Sequence, residues 1–229
     1  MGLRISFAAL CLRRAGGELK VLPREWRGGI NIPDAKIAVG IVPLLGCRVS
    51  RKRESPQAKT DLSNEALCRL AGVRPGVKAA KIVAGAEVET APWVRLKCQF
   101  GCDGYAQCLV CPPYTPTPED MRKVLDSYRR ALLIHFEPDV NVKAAVVELE
   151  RQIFLRGAWK ALGLGAGPCY LCERCALQVG GCRHAERARP AMEACGIDVF
   201  TTVKKAGLPI AVVRTTRQCP NYYGLILVD

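Results

Sequence analysis

The sequence predicts an α+β fold: a small, largely antiparallel sheet with packed helices and two cysteine-rich loops. Three observations lead there. Helix-start signals recur along the chain, each followed by apolar residues at helical spacing. Short runs of aliphatic and β-branched residues stand between them. Eight of the 13 cysteines are bunched into two groups.

The elements follow in order. Leu62–Leu67 opens a short helix, with Ser63 or Asn64 as its N-cap. Residues 78–89 read as one or two short strands, and Val94–Lys97 leads into the first cysteine group. Thr117 is then the N-cap of a helix with Pro118 in first position and Glu119 and Asp120 in its first turn. All three choices suit the unpaired amides and positive dipole of a helix start. Met121, Val124, Leu125, Tyr128 and Leu132 share its apolar face. Leu132–Phe136 is a buried-strand candidate, with His135 as a core residue. Asn141 caps the next helix, whose apolar face runs Val146, Leu149, Ile153, Gly157, Ala161, Leu164, with Gly163, Gly165 and Gly167-Pro168 as its stop. The second cysteine group begins there. A helix around Pro190–Cys195 closed by Gly196 follows, then one capped by Asp198 and closed by Gly207. Ile210–Thr215 and Tyr222–Val228 are expected to form a closing antiparallel hairpin.

Residues 1–60 show no sustained periodicity and carry 12 Lys/Arg against 4 Asp/Glu, a net +8 of the total +13. They are expected to be a basic, disordered arm or a mis-assigned start, ahead of one cysteine-rich domain over residues 61–229. The densest basic run, Arg48–Arg53, reads as a solvated tail rather than a nucleic-acid contact. No stretch reaches the ~20 apolar residues of a membrane-spanning helix, and the expectation is a cytoplasmic protein.

A chain of 229 residues with 49% hydrophobic composition can bury a core without cross-links. Disulfide staples are therefore not needed, and an odd number of cysteines points to a reducing compartment. The first group is Cys98, Cys102, Cys108 and Cys111; the second is Cys169, Cys172, Cys175 and Cys182. Thiolates this close along the chain suit convergence on one ion or cluster. Cys169, Cys172 and Cys175 stand at intervals of three, as in a loop that wraps an iron–sulfur cubane in bacterial ferredoxins. Zinc sites use paired C-x2-C knuckles and rarely a middle cysteine. Iron–sulfur clusters, of the 4Fe-4S kind, are thus the expected cofactor, with zinc as the alternative. The first group also suits a zinc site of four thiolates. In the ferredoxin pattern a Cys-Pro thiolate serves the other cluster, and Cys111-Pro112 leaves cross-donation between the groups open. The two groups are expected to come together at one end of the domain. His184 is read as a surface or helix-entry residue and Cys195 as a small buried hydrophobe.

At these residues the chain resembles the prokaryotic predicted metal-binding proteins known as domain of unknown function 2284. The matching stretches are Trp93-Val94-Arg95-Leu96-Lys97-Cys98, Cys102 with Gly104-Tyr105, and Cys111-Pro112-Pro113-Tyr114. Further on come Gly167-Pro168-Cys169 with Cys172 and Cys175, then Cys182-Arg183-His184. The last are Arg189-Pro190-Ala191-Met192-Glu193-Ala194, Gly196-Ile197-Asp198-Val199 and Tyr222-Tyr223-Gly224-Leu225. The resemblance covers roughly residues 65–229 and implies metal binding through cysteines. It supplies no reaction.

With no phosphate loop, HExxH or catalytic triad in sight, the leading expectation is an iron–sulfur protein that exchanges electrons with a redox partner protein. Two rival readings stand beside it. One is a zinc-stabilised interaction module without redox activity; the other is an iron–sulfur enzyme whose cluster has an open iron site.

Overall fold

The computed structural model describes residues 62–178, 180–215, 218 and 221–229. The arm expected over residues 1–60 lies outside the described residues. Among the described residues, five helices and a four-stranded sheet follow one another as α1 (Asn64–Gly72), β1 (Val77–Ala84), α2 (Pro92–Gly101), α3 (Pro118–Asp126), β2 (Arg130–Phe136), α4 (Val142–Leu155), β3 (Leu162–Leu164), α5 (Val199–Lys205) and β4 (Tyr222–Leu227). Single 3-10 turns occupy Gly85–Glu87 and Glu193–Cys195. No helix among the described residues is long and apolar enough to cross a membrane.

The sheet order is β1-β2-β4-β3, with every neighbouring pair antiparallel. Ala131 and Leu133 of β2 and Leu225 and Leu227 of β4 face a core formed with Met121 and Leu125 of α3, Val203 of α5, and Met192 and Ile197. The alternate residues Leu132, Ile134, Phe136 and Ile226 face Leu67 of α1 and Val146, Leu149 and Ile153 of α4. Helices thus cover both faces, which is why β2 reads as an unbroken apolar run rather than an alternating one. His135 is buried in this strand with its ring stacked on Tyr223, centroids 4.7 Å apart, and burial lowers its pKa.

Four helix starts use the expected caps. The side chains of Ser63, Thr117, Asn141 and Asp198 accept hydrogen bonds from the amides of Ala66, Asp120, Ala144 and Thr201. Other expectations need correction. The fourth helix ends at Leu155, and Leu162–Leu164 leaves its apolar stripe to become β3. Only a 3-10 turn stands where a helix was expected at Pro190–Cys195. Ile210–Thr215 is not a strand. Strand β4 already pairs with β2 on one edge and β3 on the other, so no edge remains for a hairpin partner. The lead-in expected at Val94–Lys97 belongs to a full helix, Pro92–Gly101, with Pro92 in its first turn.

Candidate metal centre

Apart from Cys98, which helix α2 carries, both cysteine groups sit on loops whose ends are tied. The first loop leaves helix α2, which carries Cys98 in its last turn, and ends at the Thr117 cap of α3. Arg95 of α2 spans its base, donating to the carbonyls of Pro116 (2.7 Å) and Ala194 (3.2 Å) and to Thr115 Oγ1 (3.2 Å). Thr115 Oγ1 donates to the same Ala194 carbonyl. The second loop departs at Gly165 and returns at Ala191, where a parallel bridge closes it. Gly165 N donates to Pro190 O (2.8 Å) and Met192 N to Gly165 O (3.0 Å). Ala194, just after the second loop, is therefore the residue to which Arg95 and Thr115 fasten the first.

A second tie binds the exit of the second loop to the body. Arg189 forms a two-pronged ion pair with Glu150 of α4, each contact 2.6 Å, and Glu150 also accepts from Gly163 N of β3. Both side chains are largely buried, so geometry rather than screening governs the pair.

Within this frame the groups meet. Leu109 N donates to Cys175 Sγ at 3.4 Å, linking the first loop to the second. Burial raises the Cys108 thiol, and the nearby Cys175 and Cys169 thiols add to that rise. The Cys108–Cys111 stretch is itself a turn, with Cys111 N donating to Cys108 O at 2.9 Å. A Cβ built on Gly104 would lie 3.5 Å from Cys102 Sγ, 3.6 Å from Cys111 Sγ and 3.6 Å from Pro168, the residue before Cys169. Gly104 N also donates to Cys102 Sγ at 3.4 Å.

Cys98, Cys102 and Cys111 line one cleft of about 390 Å³ whose other walls include Trp93, Phe200, Ile210 and Glu193. Cys98 Sγ points at Glu193 O, 3.9 Å away. Cys172 lines a different, open groove with Arg174, Arg183 and His184, and Cys182 precedes Arg183 in the chain. His184 stands 3.9 Å from the Glu186 carboxylate. Cys195 is fully buried, as expected of a small hydrophobe, and burial pushes its thiol up to about 12. Cys219 lies outside the described residues.

The family model described as predicted metal-binding protein (DUF2284) matches residues 81–228. The chain belongs to this family. Neither a curated protein nor a solved structure matches it. In this predicted metal-binding protein the chemistry of the cysteine end fits a metal bound by thiolates. Burial, followed by the neighbouring thiolate charges, raises the thiols of Cys98 and Cys108, and raises Cys111 to about 11. Without a cation these sulfurs keep their protons at neutral pH, and a metal must displace them. Among the described residues no three His, Cys, Asp or Glu side chains are already drawn together closely enough to hold an ion.

Three residues without an assigned role in the sequence reading belong to the site. Arg95 is the tie described above. Glu193 keeps accessible surface, but that surface opens into the cleft, and the dense protein shell around it raises its carboxyl. Lys143 is the third. Its Nζ is buried and is the only such side-chain nitrogen or oxygen among the described residues with no hydrogen-bond partner. Burial lowers its pKa, while the charges of Cys169, Cys111, Cys108 and Glu193 act to raise it. Gly165 makes room for it, because a Cβ there would come within 2.6 Å of Lys143 Cγ. One signal was present in the sequence. A lysine in the first turn of a helix opposes the helix dipole, and broken local rules mark functional sites.

Proposed function

We propose that this protein is an iron–sulfur protein of the 4Fe-4S kind that passes electrons to or from a partner protein, using thiolates from both cysteine groups. One observation carries the reading: the two cysteine loops touch, with Leu109 N, next to Cys108 of the first group, donating to Cys175 Sγ of the second at 3.4 Å. Amide hydrogen bonds to sulfur stabilise thiolates and tune clusters, and the loops supply them at Cys102 and Cys175. When bound, such a cluster supplies a one-electron couple that makes and breaks no bond in the chain. The residues around it do the rest. Arg95 and Thr115 hold the base of one loop, Arg189 and Glu150 the exit of the other. Cys102 is exposed, so the centre stands close to the surface, as exchange with a partner requires. The exposed Trp93, Leu96 and Phe100 of α2 offer a partner protein apolar contact beside Cys98.

A second reading has its own support. The cleft lined by Cys98, Cys102 and Cys111 is large enough for a small organic molecule, which favours an enzyme with an open iron site. A reductive titration under anaerobic conditions tests the first reading. The expected result is visible thiolate-to-iron absorption that bleaches with dithionite and returns on reoxidation. A colourless protein that binds zinc and takes up no electrons would replace this reading by the interaction module.

A further inference from the structure

The thiols are not evenly distributed around the site. Leu109 N, next to Cys108, donates to Cys175 Sγ (3.4 Å), and Cys111 N closes a turn on Cys108 O (2.9 Å). Cys111 Sγ and Pro168, the residue before Cys169, both lie 3.6 Å from a Cβ built on Gly104. Cys98 sits in α2, Cys102 is exposed and Cys172 faces the separate groove. The Lys143 amine is buried without a hydrogen-bond partner, and Lys143 lines one groove together with Pro168 and Cys169. A buried ammonium without a partner is costly unless an anionic group faces it. Four thiolates around a divalent ion, or around a cluster, leave a net negative charge.

We infer that Cys108, Cys111, Cys169 and Cys175 are the ligands of one metal site shared by both loops, with the Lys143 ammonium as its buried counter-charge. The inference rests on the reading that these cysteines bind metal, but it holds for zinc as well as for an iron–sulfur cluster. Neither loop completes the site alone: each contributes two thiolates. Lys143 is a positioning residue that coordinates nothing and offsets the charge of the thiolates.

Metal per chain in Cys108→Ser, Cys169→Ser and the double variant tests the sharing. Each single change is expected to remove the metal of one site, and the double change no more than either alone. A double variant that loses the sum of the two overturns the inference, as does either single variant that keeps full metal. Wild-type protein gives an independent measurement should the serine variants fail to fold. Chelator is added stepwise, and the reactivity of each cysteine toward iodoacetamide is read by mass spectrometry. Exposure of all four thiols at one chelator concentration supports the shared site; exposure of Cys108 and Cys111 apart from Cys169 and Cys175 overturns it. Lys143→Met is expected to release metal at a chelator concentration about tenfold lower, with Lys143→Arg close to wild type. Unchanged retention in Lys143→Met removes the counter-charge role. Protein that contains zinc and no iron, yet loses it in the shared pattern, would sink the electron-transfer reading while leaving this inference intact.

Discussion

The sheet and the cysteine end are held by different physics. In the sheet, Leu132, Leu133, Ile134, Leu225 and Ile226 have no accessible surface, and each strand is paired along its length. At the cysteine end, turns replace regular structure among the described residues between Gly101 and Thr117 and between Gly165 and Ala191. Most of its thiols are half-buried, and its fixed points are polar: the Arg95 fan, the Arg189–Glu150 pair and the Gly165–Ala191 bridge. Burial of apolar surface stabilises the first region without help. The second has frames but little core, so a bound metal is expected to supply the order that packing does not.

The largest effect follows from removing the metal. Hydrogen exchange of the protein stripped by chelator should speed up about tenfold or more in the two cysteine loops, with β2 and β4 unchanged. Equal loss of protection in β2 would break the division between the regions.

The converse test is made in the sheet. Leu133→Ala should lower unfolding stability by about 2–5 kcal/mol, since Leu133 is fully buried in the central strand. The folded fraction should still hold its full metal. A fall in metal per folded chain would show that the regions are coupled.

How far the two regions were legible in the sequence differs for the same reason. Caps and buried runs are local signals, so Ser63, Thr117, Asn141, Asp198 and the strands around Leu132–Phe136 and Tyr222–Leu227 could be read directly. Helix α2 escaped because its apolar residues do not form a buried stripe: Val94 is buried, while Trp93, Leu96 and Phe100 are exposed. Strand β3 escaped because Leu164 keeps helical spacing with Ala161, and only pairing with a distant strand, β4, decides otherwise. Val212 and Val213 look like strand residues but are exposed outside the ladder. At the site, density along the chain revealed the eight cysteines. Which of them meet is a matter of tertiary contact; Lys143 lies in no matching stretch, and Glu193 lies in one that does not say what its carboxylate faces.

The boundary between the regions is sharpened by Glu150→Gln. Glu150 belongs to α4 but holds Arg189, so the change leaves a largely buried guanidinium short of its charge partner. Stability should fall by roughly 2 kcal/mol. Exchange should accelerate around residues 185–191 more than in β2, and an even response along the chain would argue against Glu150 as the tie.

A smaller effect belongs to the start of the inner strand β2. Arg130 of β2 holds the Asp229 carboxylate through its Nε and Nη2 (2.8 Å), and these hydrogen bonds and charges keep that carboxyl below its usual range. A lowered folded value means that the contribution is complete above the unfolded carboxylate pKa, about 3.9. It is lost as the pH falls through the folded value. Asp229→Asn should cost about 1–2 kcal/mol at neutral pH and flatten the loss of stability on acidification. Wild type and variant with parallel acid profiles would contradict this assignment.

Anaerobically purified wild-type protein, assayed for iron, zinc and acid-labile sulfide per chain, addresses the central claim most directly. The account predicts iron and sulfide together in nearly equal amounts, as a 4Fe-4S cluster requires, with little zinc. Zinc without sulfide would contradict the iron–sulfur reading, and a folded protein that retains no metal at all would contradict the metal centre itself.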